Sequence, residues 1–176
     1  MYLDKVITMY ESLGLSPTIG CTETEVQLLE QRIGHTIPAA YREFLLWAGQ
    51  EADSLFSEQE DYKYQQLPDM QALAHHLIHA YQFPSPLPHD ALVFYVYDSV
   101  HFAFIRTLDG PDPLVYHFLE TPNSTSALFI SNARTTPPIT YQSSLKGETV
   151  QHFVIENSFS LWIKRYIDDL SIIDEE

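Results

Sequence analysis

The chain has 176 residues, 45% of them hydrophobic and 19% charged, so it has the material for a packed core and is not a disordered polymer. Nine basic residues stand against 24 acidic ones, a formal net charge of −15, and such a field repels phosphate backbones and anionic lipid. Direct nucleic-acid binding and electrostatic membrane docking are therefore excluded, and no apolar run approaches the ~20 residues needed to cross a bilayer.

The start, MYLDKVITMYE, lacks the basic opening and long apolar core of a signal peptide, so a cytoplasmic location is expected. Leu3, Val6, Ile7, Tyr10 and Leu13 fall at helical spacing and predict a first helix over Tyr2–Leu13, stopped by Gly14. Thr22 with Glu25 forms a capping box, and Val26, Leu29 and Ile33 make the buried stripe of a second helix that Gly34 ends. Pro38 suits the first turn of a third helix, with Tyr41, Phe44, Leu45 and Ala48 on one face and Gly49 as its stop.

From Gln50 to Gln66 the chain turns polar and acidic, and is expected to be a loop with at most one turn of helix. A fourth helix follows from Asp69 to about Tyr81, and QFPSPLPHD, with three prolines, is a rigid connection. Val, Ile, Phe and Tyr then dominate, predicting strands at Leu92–Tyr97, Val100–Thr107 and Leu114–Leu119. Their connections are too short for helical crossovers, so the strands are antiparallel. Further strands are expected at Ala127–Ile130 and Ile139–Tyr141. Asn157 or Ser158 caps a last helix carrying Phe159, Trp162, Ile163, Tyr166 and Ile167 on one face. The expected fold is α+β, a single domain over residues 1–176 with helices packed around an antiparallel sheet.

Catalytic signatures are weak. On a helix, His75 and His79 of HHLIH lie one turn apart and could share a metal, but a zinc protease needs a Glu between them as base, and here His76, Leu77 and Ile78 intervene. The competing reading is a set of polar-face histidines. Cys21 is the only cysteine, so it has no partner for an internal disulfide and reads as a small hydrophobe. No G-x-S-x-G elbow and no Gly-rich phosphate loop occur. Asp109-Gly110-Pro111-Asp112 lacks the alternating acids of a calcium loop and reads as a turn. No cofactor and no metal are expected.

Glu51, Asp53, Glu58, Glu60 and Asp61 share a loop with Tyr62 and Tyr64, and Asp98 sits in the following hairpin turn. Exposed acids keep ordinary pKa values and make poor general acids. The segment reads either as a solvated loop or as an acidic contact surface with aromatic anchors, since Tyr is favoured at interface hot spots.

The pattern T-E-x-E-x-x-x-L-E-x-x-x-G-x-x-I-P-x-x-Y-x-x-F-L from Thr22 to Leu45 resembles the SUKH superfamily of fungal cell-wall-assembly regulators and bacterial immunity proteins. The hairpin region from His89 to Glu120, with Pro113–Phe118, and the closing segment with Asn157-Ser158-Phe159 and Trp162-Ile163 are similar to the same family. Ala48-Gly49-Gln50 departs from the Asn-Gly that the family often has there, and residues 121–150 match no part of the pattern. The resemblance implies an α+β fold and binding in place of catalysis. The expected function is a non-enzymatic immunity protein that neutralises a cognate toxin, often a nuclease, whose basic surface a strongly acidic inhibitor would suit. The partner-binding candidates are Glu51, Asp53, Glu58, Glu60, Asp61, Tyr62, Tyr64 and Asp98. The alternatives are a regulatory interaction module without a toxin and, more remotely, a metal-dependent hydrolase using His75 and His79.

Overall fold

The strongest local signal in the chain starts its helix as the residues dictate. The computed structural model describes residues 1–81, 83, 86–119, 143–145, 148–150 and 152–173. In it, α1 covers Asp4–Ser12, inside the expected Tyr2–Leu13, and α2 covers Glu23–Ile33. Both halves of the capping box form: the Glu25 N–H donates to Thr22 Oγ1, and the Thr22 N–H donates to the Glu25 carboxylate at 2.7 Å. Gly34 ends α2 in the left-handed region, φ 73°, where any side chain would be strained. The Ile37 N–H then donates to the Glu30 carboxylate at 2.9 Å. That bond folds the chain back into α3 (Ala39–Ala48) and gives the Glu-x-x-x-Gly-x-x-Ile-Pro order a physical reason.

The Tyr41 and Phe44 rings of α3 are fully buried. Gly20 lies against the α3 backbone, where an added Cβ would stand 1.7 Å from the Leu46 carbonyl oxygen.

Gln50–Gln66 is more structured than a loop. It holds a two-residue strand, β1 (Glu60–Asp61), and a short 3-10 helix over Tyr64–Gln66. Two adjacent acids have little β preference; they are a strand because they pair with the edge of β2 (Ala91–Tyr97). α4 (Leu67–Ala80) begins two residues before the expected Asp69, with Pro68 in its first turn, where the missing N–H is harmless.

The three predicted strands form, shifted by a residue at their ends: β2, β3 (His101–Arg106) and β4 (Val115–Leu119). β5 (Ser143–Leu145) and β6 (Glu148–Val150) form a separate ribbon, and β7 (His152–Glu156) joins the main sheet; none of the three was anticipated. The main sheet runs β1-β2-β3-β4-β7, antiparallel throughout. The expected strands at Ala127–Ile130 and Ile139–Tyr141 lie outside the described residues.

Helical segments meet both faces of the sheet. In β4, the His117 ring lies 6.3 Å from Trp162 of α5 (Phe159–Ile173), while its neighbour Phe118 meets Tyr81 and Phe83, just beyond α4. The pairing of β2 with β3 shifts between Val93 and Tyr95. This bulge breaks the two-residue alternation, so consecutive Phe94 and Tyr95 both lie against Trp162, at 4.9 and 5.2 Å.

The Leu108–Pro113 turn ties the layers together. Pro111 O accepts the Ala40 N–H at the start of α3, and Pro113 O accepts the Phe159 N–H at the start of α5, both at 2.8 Å. Asp112 accepts the Ser160 N–H at 2.9 Å and the Ser160 hydroxyl at 2.6 Å. Ser158, the expected cap, accepts the Leu161 N–H at 3.2 Å. An acid at a helix N-terminus also meets the positive end of its dipole.

Candidate functional site

The turn between β2 and β3 gathers the acidic surface. Asp98 and Ser99 both take positive φ, 49° and 57°, as a tight hairpin turn requires. The Asp98 N–H donates to Gln59 O at 3.1 Å, and Glu60 pairs with Tyr97 across the strands. Asp98, distant in sequence, is thus held beside the acidic segment.

Asp53, Glu58, Glu60, Asp61 and Tyr62 line one open cavity of about 530 Å³, with Phe56, Ser57, Lys63 and Gln66. Asp53 is paired with Lys63 at 3.3 Å. Among the described residues, no ion pair neutralises Glu58, Glu60, Asp61 or Asp98. The other candidates lie differently. Glu51 is exposed but belongs to a short bridge with Ile19. Tyr64 donates its hydroxyl to Glu25 O at 3.1 Å and so faces α2.

Tyr62 is 2% exposed, its ring stacked on Phe56 at 4.2 Å. Its hydroxyl accepts the Ala52 N–H at 2.6 Å, and burial pushes the phenol up to about 12, so it stays protonated. Tyr62 therefore forms the floor of the cavity and is not a projecting anchor.

Sequence reasoning missed the aromatic half of this surface. Glu60 also borders a second open cavity of about 330 Å³, lined by Tyr95, Tyr97, His101, Phe102, His117 and Tyr166. The Tyr95 hydroxyl donates to Glu60 Oε1, and the Tyr166 hydroxyl donates to the same oxygen at 3.2 Å. Burial, the neighbouring Tyr166 and the Glu60 carboxylate all push the Tyr95 phenol upward, which keeps it a donor. The His101 ring stacks on Tyr97 at 6.0 Å, and Tyr97 is 38% exposed. Tyr95, Tyr97 and His101 read as strand residues in the sequence, and Tyr166 as helix core. Their polar tips were the available signal.

His117 also lines this cavity, and its buried Nε2 has no hydrogen-bond partner among the described residues. Burial, then Arg165 and His101, lowers its pKa to about 4, so it is neutral near pH 7.

His75, His76 and His79 are exposed on α4, and among the described residues no group of three His, Cys, Asp or Glu side chains is placed to hold a metal ion. Cys21 is buried, and burial followed by Glu25 pushes its thiol up to about 12, which suits a packed hydrophobe and not a nucleophile. A further cavity of about 280 Å³ lies between α2, α4 and the sheet, walled by Leu29, Ile33, Leu67 and Leu92, and contains none of the candidate acids. No helix of the described residues is long and apolar enough to cross a membrane.

What the acid-and-tyrosine surface can do is bind. It offers several carboxylates outside any ion pair among the described residues, an exposed tyrosine ring and fixed hydroxyls around one short strand. The model of the SMI1 / KNR4 family (SUKH-1) matches residues 20–165 of the chain. No curated protein matches the chain.

Proposed function

The chain belongs to the SMI1 / KNR4 family (SUKH-1), and from that premise we propose that it is an immunity protein, one that binds a cognate toxin and covers the toxin's basic active surface. The family takes in toxin-immunity proteins and Smi1/Knr4 regulators, is generally non-enzymatic, and acts through protein–protein contact. The observation that carries the proposal is the acidic patch around β1. Glu58, Glu60, Asp61 and Asp98 stand together without cationic partners among the described residues, in a chain of net charge −15.

Complementary charge speeds encounter with a basic partner and disfavours wrong ones. A nuclease that grips a phosphate backbone exposes such a basic surface. The chain acts as one unit over residues 1–176 in this reading, within the cytoplasm, where the toxin would act.

Co-expression with the toxin encoded beside its gene tests the proposal. Cells should survive with the intact chain. They should die with a Glu58→Lys, Asp61→Lys, Asp98→Lys triple variant that still folds. Equal killing with and without the intact chain refutes the proposal; a chain that binds a host protein instead and protects no cell is a regulatory module.

A further inference from the structure

The cavity beside Glu60 has the composition of a cation receptor. Tyr97, 38% exposed, supplies an open ring with His101 stacked beside it, Tyr95 and Tyr166 are packed on Trp162 and wall the cavity, and Glu60 supplies the charge. Ring faces carry negative potential and attract a cation within about 6 Å. No lysine or arginine lines the cavity among the described residues. Arg165 acts on His117 from α5 but is not part of the lining.

Glu60 is fixed before any ligand arrives. Oε1 takes the two tyrosine hydroxyls and Oε2 takes the Ser57 N–H, which leaves one of its roughly four acceptor positions open. His117 lines the same wall, with a buried Nε2 that lacks a partner among the described residues. A planar fork of N–H donors can stack on the Tyr97 ring while donating to the remaining Glu60 position, and only guanidinium among side chains has that shape.

We propose that this cavity receives an arginine side chain of the partner, stacked on the Tyr97 ring with its charge against Glu60. The proposal rests on the reading that this surface meets a basic protein, and it names the anchor of that contact. It also gives the two cavities that share Glu60 separate tasks. The acidic one draws the partner in, and the aromatic one fixes its orientation.

The test uses the full chain and the capped peptide Ac-Gly-Arg-Gly-NH2, with citrulline and lysine in place of arginine, followed by amide and tyrosine-ring NMR shifts. The arginine peptide should bind in the millimolar range, with shifts confined to Tyr95–His101 and Tyr166, roughly tenfold more tightly than the uncharged citrulline peptide. Tyr97→Ala and Glu60→Gln should each weaken arginine binding about fivefold or more.

Tyr97 is partly exposed, so its variant should fold and decides the matter even if Glu60→Gln does not. Equal binding of citrulline or lysine, no binding by the wild type, or an unchanged affinity in Tyr97→Ala each overturns the proposal. A chain that protects cells yet ignores the arginine peptide retains the immunity reading and loses this site. A chain that binds the peptide and protects no cell does the reverse.

Discussion

Glu60 and Tyr166 are 106 residues apart in sequence and share a hydrogen bond of 3.2 Å. The bond ties the acidic edge of the sheet to α5, and Tyr95 donates to the same carboxylate oxygen. Removing the carboxylate leaves two tyrosine hydroxyls without their acceptor in a half-buried setting. Glu60→Ala should therefore lower stability by about 1–3 kcal/mol. Glu60→Gln keeps an acceptor oxygen and should lose about half as much. Urea unfolding with unchanged slopes checks both. If Ala and Gln behave alike, the hydroxyl contacts contribute nothing.

The neutral state of His117 predicts an acid weakness. Its pKa is lowered to about 4 by burial, Arg165 and His101, against roughly 6.5 in the unfolded chain. Between those values the unfolded chain binds a proton that the native chain refuses, so stability falls as pH drops from 6.5 towards 4. The loss should reach about 2 kcal/mol between pH 7.5 and pH 5. His117→Phe removes that component and leaves every other group in place. Its stability should therefore change less over the same interval, measured by urea unfolding at both pH values. An identical pH dependence in the two proteins would mean that His117 titrates normally.

These two residues also mark where the sequence stopped being informative. The helices were legible because their signals are local: Thr22 and Glu25 cap α2, Gly34 ends it, and the apolar stripes recur at helical spacing. Strands β2 to β4 were legible from their dense Val, Phe and Tyr content and short connections. β1 was not, because Glu60-Asp61 has no strand character and pairs only through the Tyr97 edge.

β7, with its HFVIE sequence, carried a fair strand signal but followed a stretch without clear periodicity. The acids Glu58, Glu60, Asp61 and Asp98 were chosen from charge, and the hairpin turn accounts for their proximity. Tyr95, His117 and Tyr166 offered no more than a polar tip to single them out. An aromatic residue of a buried strand looks the same in sequence whether its tip meets solvent, a ligand or the core.

Asp90 and Arg106 form the most enclosed ion pair among the described residues. The Asp90 side chain has no exposure, and Arg106 donates to it through Nε and Nη2 at 3.0–3.2 Å. Burial alone would raise the Asp90 carboxyl, but the Arg106 guanidinium together with the backbone N–H groups of Asp90 and Leu108 more than offsets this and holds it below the usual range. Arg106→Met leaves the Asp90 carboxylate with backbone donors alone and, since Arg106 is 35% exposed, should cost about 1–3 kcal/mol at pH 7. Adding Asp90→Leu to that variant should recover much of the loss, because no charge then remains to be buried. Thermal or urea unfolding of the single and double variants reads the coupling. A double variant no more stable than Arg106→Met would mean that the pair is not what the site depends on.

Asp112, in the segment that the sequence marks as a turn and not a calcium loop, has a structural task. It accepts both the N–H and the hydroxyl of Ser160, in the first turn of α5. α5 in turn carries Trp162 and Tyr166 to the aromatic wall beside Glu60. Asp112→Ala removes a helix-end acceptor and a favourable charge at the positive end of the dipole, a loss of about 1–2 kcal/mol. Asp112→Asn keeps an acceptor oxygen without the charge and should lose less, roughly 0.5–1 kcal/mol. Both effects should be unchanged by added calcium, because the carboxylate is occupied by backbone and hydroxyl donors. Unfolding curves with calcium and with a chelator provide the measurement. A calcium-dependent rise in wild-type stability that Asp112→Asn abolishes would assign this turn to an ion after all.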